Sequence, residues 1–172
     1  IVEDRTRHLA SLYNFGVFFF GPDMLPKYLE GHLTFWVAEG PVFGTFAVYR
    51  ASNRSIRVQE LNLAPDRRKA LASALAREVL PENREYQYDH FYNNCSTRLR
   101  DLIDVALDGQ FKRSLDHPAR MSYRQHARRY LQRDPWTDFA AVFLTNQFME
   151  RHIKQWDELF LPDELEQQVE RV

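Results

Sequence analysis

Cys95 is the only cysteine in a chain of 172 residues. That excludes an internal disulfide and any cysteine-rich zinc site. Charge of one sign is lacking too. A net charge of -1 gives no electrostatic reason to expect nucleic acid as a partner. Long hydrophobic runs are missing, and stretches such as Val17 to Phe20 are far too short to span a bilayer. No secretory leader is recognisable. The chain opens Ile1-Val2-Glu3-Asp4 without a methionine, as expected of a processed or partial chain. There are no internal repeats and no low-complexity tract, and nothing in the pattern calls for a cofactor or a metal. What remains is globular: 44% hydrophobic and 14% aromatic residues are enough for one proper core, so one domain over 1–172 is expected.

The stretch from Tyr86 to Asp101 holds the most chemistry. Residues 86–92 alternate and are rich in aromatics, which predicts a strand. Asn93 and Asn94 suit a turn and a helix N-cap. From Cys95 to about Asp108 the apolar residues Leu99, Leu102, Ile103 and Ala106 recur at helical spacing. The thiol therefore falls where a strand turns into a helix. Unpaired N–H groups and the positive end of the helix dipole point there, which favours a thiolate and offers donors to an oxyanion. The bland alternative is a small buried hydrophobe, the commoner fate of a lone cysteine. The Asn-Asn-Cys context favours the nucleophile.

The rest of the chain reads as α+β: a small mixed or antiparallel sheet first, then a helical tail. Ile1 to Glu3 and Leu33 to Val37 are short strands. Leu9 to Phe20 is a strand bent at Asn14-Phe15-Gly16. Met24 to Gly31 is a short helix. Pro41 to Arg50 fits a helix, although its β-branched and aromatic residues also permit a strand. Arg54 to Leu63 alternates and predicts a strand. Ala64-Pro65-Asp66 opens a helix to about Leu80 with Leu71, Leu75 and Val79 as its stripe. Ser122 caps a helix to about Arg133, another runs from Trp136 to about Phe148, and Pro162 opens a last helical segment. Trp156, Leu159, Phe160 and Leu161 are expected to pack that tail onto the sheet.

A cysteine nucleophile needs a proton acceptor, usually histidine. His90 is nearest in sequence, on a strand face shared with Tyr88 and Tyr92. The competing reading is a half-buried strand histidine bonded to a neighbour. His32, His117, His126 and His152 have weaker claims; His126 sits among Arg124, Arg128 and Arg129, which suggests a solvated helix face. That basic cluster, with Arg133, also suits anionic lipid headgroups, but Asp134 and Asp138 follow it directly. Arg98 and Arg100, just after the thiol, are placed to pair with Asp101 or Asp89 and to raise the local positive potential.

At these residues the chain resembles a known family. Asn94-Cys95-Ser96-Thr97-Arg98-Leu99-Arg100-Asp101-Leu102-Ile103 is similar to the Asn-Cys-x-Thr-Arg-x-Arg-Asp-Leu-Ile signature of the Lnb N-terminal periplasmic domain family. Leu12-Tyr13-Asn14-Phe15-Gly16 with Tyr28-Leu29-Glu30-Gly31, Asn53-Arg54-Ser55 with Glu60-Leu61-Asn62-Leu63, and Trp156 to Asp163 resemble further blocks in the same order. The resemblance implies a circularly permuted, papain-like thiol fold in the periplasm, membrane-anchored in a longer protein. It implies acyl transfer from a phospholipid to the N-terminus of a lipoprotein through a Cys95 acyl-enzyme. Its partners would then be the phospholipid donor, the lipoprotein acceptor and a membrane surface. Cys95 and His90 are the catalytic candidates, with Asn94, Tyr88, Arg98 and Arg100 around them. The family's own histidine lies on a strand before the Tyr-Asn-Tyr-Gly block, which here falls before Ile1, so the strand at Ile1-Val2 is expected beside residues 86–92. Two other readings stay open: a thiol peptidase or amidase acting on cell-wall peptide, and a non-catalytic binding domain.

Overall fold

Alternating apolar residues near the start of the chain build the sheet. The computed structural model describes residues 1–4, 8–131 and 147–171. Among these, β1 (Val2–Asp4), β2 (Leu9–Phe18), β3 (Thr34–Pro41) and β4 (Glu85–Gln87) pair antiparallel in the order β1-β2-β3-β4. The expected bend in β2 is a bulge. Its register against β3 shifts between Asn14 and Val17, and Asn14 Oδ1 accepts the Gly16 N–H at 2.9 Å. Phe15, at the bulge, lies in the core.

Helices fill the connections. α1 (Met24–Leu29) ends at Gly31, whose φ of 71° lets the His32 N–H close on the Lys27 carbonyl at 2.7 Å. α2 (Val42–Ala51) confirms the helical reading of 41–50, with Pro41 as its N-cap. Asn53 ends it in the left-handed region, and the Arg54 N–H reaches the Tyr49 carbonyl at 2.9 Å. α3 (Pro65–Glu78) starts on proline with Asp66 in its first turn, and it buries Leu71, Ala74 and Leu75. α4 (Cys95–Ala106), α5 (Gln110–Ser114), α6 (Tyr123–Leu131), a 3-10 turn at Gln147–Glu150, α7 (Gln155–Glu158) and α8 (Pro162–Val169) follow. Ser122 caps α6 reciprocally: its hydroxyl accepts the Gln125 N–H at 3.3 Å, and Gln125 Oε1 accepts the Ser122 N–H at 2.8 Å. The helix expected from Trp136 lies mostly outside the described residues.

Several expectations need correction. Residues 54–63 join no ladder. Side chains hold the segment to α8 instead: Arg57 pairs with Asp163 and Glu166, both at 2.8 Å, and Gln59 Nε2 donates to the Glu166 carbonyl at 3.2 Å. The strand expected over 86–92 stops at Gln87. Asp89 Oδ1 captures the N–H groups of Phe91 (2.9 Å) and Tyr92 (2.7 Å), so the chain folds back and Asp89 pairs with Asn93. The helix expected from Cys95 to about Asp108 is present as α4, ending at Ala106. Asp108 and Gly109 both take positive φ, 52° and 74°, and α5 begins afresh to bury Phe111. The strand at Ile1-Val2 does not lie beside residues 86–92, because β1 and β4 occupy opposite edges of the sheet.

The core has three parts. Phe15, Val37, Leu63, Leu71, Leu75, Tyr86 and Ala106 pack between the sheet, α3 and α4. Ile103, Phe111, Leu115, Trp156, Leu159, Leu165 and Val169 pack α4 against α5 and the tail. Tyr123, Ile153 and Phe160 form the third part. The tail is buried as expected, but its partners are α4, α5 and α6 more than the sheet. α4 contributes Ala106 to one cluster and Ile103 to the next, so it stands between them. The architecture is α+β with an antiparallel sheet; this topology does not establish the papain-like arrangement.

Candidate functional site at the start of α4

Asn94 organises the site. Its backbone is extended (φ -122°, ψ -177°), as an N-cap requires. Its Oδ1 accepts the N–H groups of Ser96 at 2.8 Å and Thr97 at 2.9 Å. Thr97, fully buried, answers with Oγ1, which accepts the Asn94 N–H at 2.8 Å. The Asn94 Nδ2 donates to the carbonyls of His90 (2.7 Å) and Phe160 (3.0 Å). One side chain thus ties the turn, the helix start and the tail together.

Cys95 follows as the first residue of α4 and is exposed. The cap narrows the supply of oxyanion donors anticipated at a helix start. Ser96 and Thr97 N–H are taken by Asn94 Oδ1, and the Arg98 N–H goes to the Asn94 carbonyl at 3.0 Å. Among the described residues, the N–H of Cys95 itself has no partner. Burial pushes the Tyr86 phenol's pKa well up, and Arg98 pulls it back. The Tyr86 hydroxyl donates to the Phe15 carbonyl on β2, two strands away.

His90 sits in the turn, not on a strand. Its Nδ1 is 3.1 Å from the Tyr88 hydroxyl, and its ring meets Phe91 and Phe160 edge-on at 4.9 and 5.8 Å. Much of the residue's surface is open, yet burial of the imidazole holds its pKa below the ordinary value, with Asp89 opposing. The neighbour bond of the competing reading is therefore present. Among the described residues no histidine hydrogen-bonds the Cys95 sulfur. His32 instead faces Glu30 at 3.6 Å.

The arginines after the thiol brace the helix. Arg98 pairs with Glu78 of α3 and lies 4.6 Å over the Tyr86 ring. Arg100 is buried. It pairs with Asp101 at 2.8 Å, donates to the Trp156 carbonyl at 3.2 Å and stacks 4.2 Å over the Trp156 ring. Of the expected partners Arg100 takes Asp101, whereas Asp89 is occupied in its own turn. The basic cluster on α6 is largely neutralised: Arg124 meets Glu150 at 2.7 Å and Arg129 meets Glu164 at 2.9 Å. Arg133 lies outside the described residues.

His126 does not lie on a solvated face. It is wholly buried, its Nε2 2.9 Å from Glu158 Oε1, with its ring edge-on to Phe160 at 5.9 Å. Its spacing of three from Tyr123, the other buried residue of that helix face, was the available signal. A cleft of about 320 Å³ runs along Glu60, Leu61, Asn62, Leu63 and Arg68; Cys95 is not among its walls.

A family model, the Lnb N-terminal periplasmic domain, matches residues 11–129. The chain belongs to that family. The matched stretch runs from β2 into α6 and includes the whole cap around Cys95. The tail that receives Asn94 and Arg100 lies beyond it. No curated protein and no solved structure matches the chain significantly. The family's description places the domain in the periplasm, and no helix among the described residues is long and apolar enough to cross a membrane.

The cap gives a direct prediction. Asn94→Ala should cost roughly 2–3 kcal/mol, a lost cap together with unpaired His90 and Phe160 carbonyls. Asn94→Ser keeps an N-cap acceptor and loses the carboxamide donor without adding a charge, so it should cost less. Urea melts of the two variants would show the order, and equal midpoints would count against this account of Asn94.

Proposed function

We propose that the domain is a thiol acyltransferase of the lipid-facing periplasm, with Cys95 as the acyl-accepting nucleophile. The observation that carries this reading is an exposed cysteine at the first position of a doubly capped helix, with its own N–H left unpaired. The Cys95 sulfur attacks the ester carbonyl of a phospholipid. The Cys95 N–H donates to the oxyanion as it forms. Collapse breaks the ester C–O bond, and the lysophospholipid leaves as an alcohol carrying the proton taken from the thiol. The α-amine of a lipoprotein's N-terminal cysteine then attacks the thioester, forms the amide and returns the thiol. His90 is the proton carrier in this reading. Its lowered pKa keeps the imidazole neutral near pH 7, as a base must be, and the Tyr88 hydroxyl bonds its Nδ1.

Incubation with acyl-labelled phospholipid tests this. The chain should gain one acyl mass on Cys95, released by hydroxylamine, and Cys95→Ala should gain none. His90→Ala should slow acylation by about 10²-fold or more. A His90→Ala variant that acylates at the parent rate removes His90 from the mechanism. A parent chain that never gains the adduct removes the acyltransferase reading.

A further inference from the structure

α2 shows a run of apolar residues to solvent. Soluble helices hide apolar residues and show polar ones. Here the side turned outward holds Phe43, Gly44, Ala47, Val48 and Ala51, with Arg50 at its margin. Phe43 is 85% exposed and Val48 63% exposed, and no residue of α2 is buried. The half-covered side holds Val42 and Phe46 together with Thr45, bonded to the Pro41 carbonyl at 3.4 Å, and Tyr49, whose ring lies 4.4 Å under Arg54. The segment after the helix continues the pattern, with Val58 69% and Ile56 40% exposed. From Gly40 to Gln59 there is no aspartate or glutamate. Arg57 is engaged with Asp163 and Glu166, which leaves Arg50 and Arg54 as the cations at the C-terminal end of the helix.

We propose that α2 is a membrane-docking surface. Its apolar side enters the boundary between headgroups and acyl chains, while Arg50 and Arg54 meet anionic headgroups. Size argues against a second copy of the chain. A ten-residue helix is about 15 Å long and about 10 Å across, far less than the ~800 Å² each partner buries in a stable dimer. A bilayer sets no such minimum. The absence of acid over this stretch complements an anionic lipid surface. The inference rests on the phospholipid reading only for where the substrate lies; the surface itself is read from α2 alone.

The test leaves the nucleophile out, so its failure and that of acyl transfer are separable. The Cys95→Ala chain is mixed with vesicles of phosphatidylethanolamine and phosphatidylglycerol and sedimented. It should pellet with them. Phe43→Ser with Val48→Ser should lower partitioning at least about tenfold, with an unchanged thermal melt because neither side chain is buried. Arg50→Gln should weaken the salt dependence of binding. Three results overturn the proposal: no pelleting with these vesicles, full pelleting of the double variant, or a dimer in sedimentation velocity that the double variant abolishes.

Discussion

A chain ending at His152 should not fold. The tail supplies Ile153, Trp156, Leu159, Phe160, Leu165 and Val169 to the buried clusters. Truncating one large core side chain typically costs about 2–5 kcal/mol, and a whole domain holds only about 5–15 kcal/mol in reserve. Six such losses exceed that reserve. Two polar anchors go with them, the Phe160 carbonyl under Asn94 and the Trp156 carbonyl under Arg100. The shortened chain should lose its cooperative thermal transition by circular dichroism. A melting temperature matching that of the full chain would show that the tail is an appendage.

The second large effect belongs to His126 and Glu158. Both are buried, and they meet at 2.9 Å. Removing one partner strands the other, so His126→Ala should cost about 3–5 kcal/mol in urea unfolding. Replacing both with leucine should cost clearly less than the two single changes added together, because no polar group is then left unpaired. Strict additivity would mean that the pair is not coupled.

What the sequence shows and what it hides follow from the range of the forces involved. The caps at Asn94 and Ser122 were legible because each is closed by residues three positions away. The bend at Asn14 was legible because it too is closed locally, by an N–H two positions on. Residues 54–63 alternate like a strand, yet a strand needs a neighbour, and the partners here are carboxylates about 106 residues downstream. The aromatic alternation at 86–92 was outweighed by the Asp89 carboxylate, which bonds its own turn. The burial of His126 was hidden because Glu158, 32 residues on, decides it. Cys95 was legible as the first residue of a capped helix, and Arg98 and Arg100 were legible as charges in its first turns. Their partners Glu78 and Trp156 come from α3 and the tail, so their bracing role was not.

The bond from Asn94 Nδ2 to the Phe160 carbonyl has a consequence for how the protein is made. Synthesis runs from the amino end, so Cys95 leaves the ribosome well before residue 160. Until that carbonyl arrives, the carboxamide that fixes the helix start lacks one of its acceptors, and Ile103 lacks the tail side chains packed on it. The thiol therefore emerges on an unfinished helix start, whose cap is complete only once residue 160 is in place. Order at the first turn of α4 is thus held by a carbonyl 66 residues downstream of its cap.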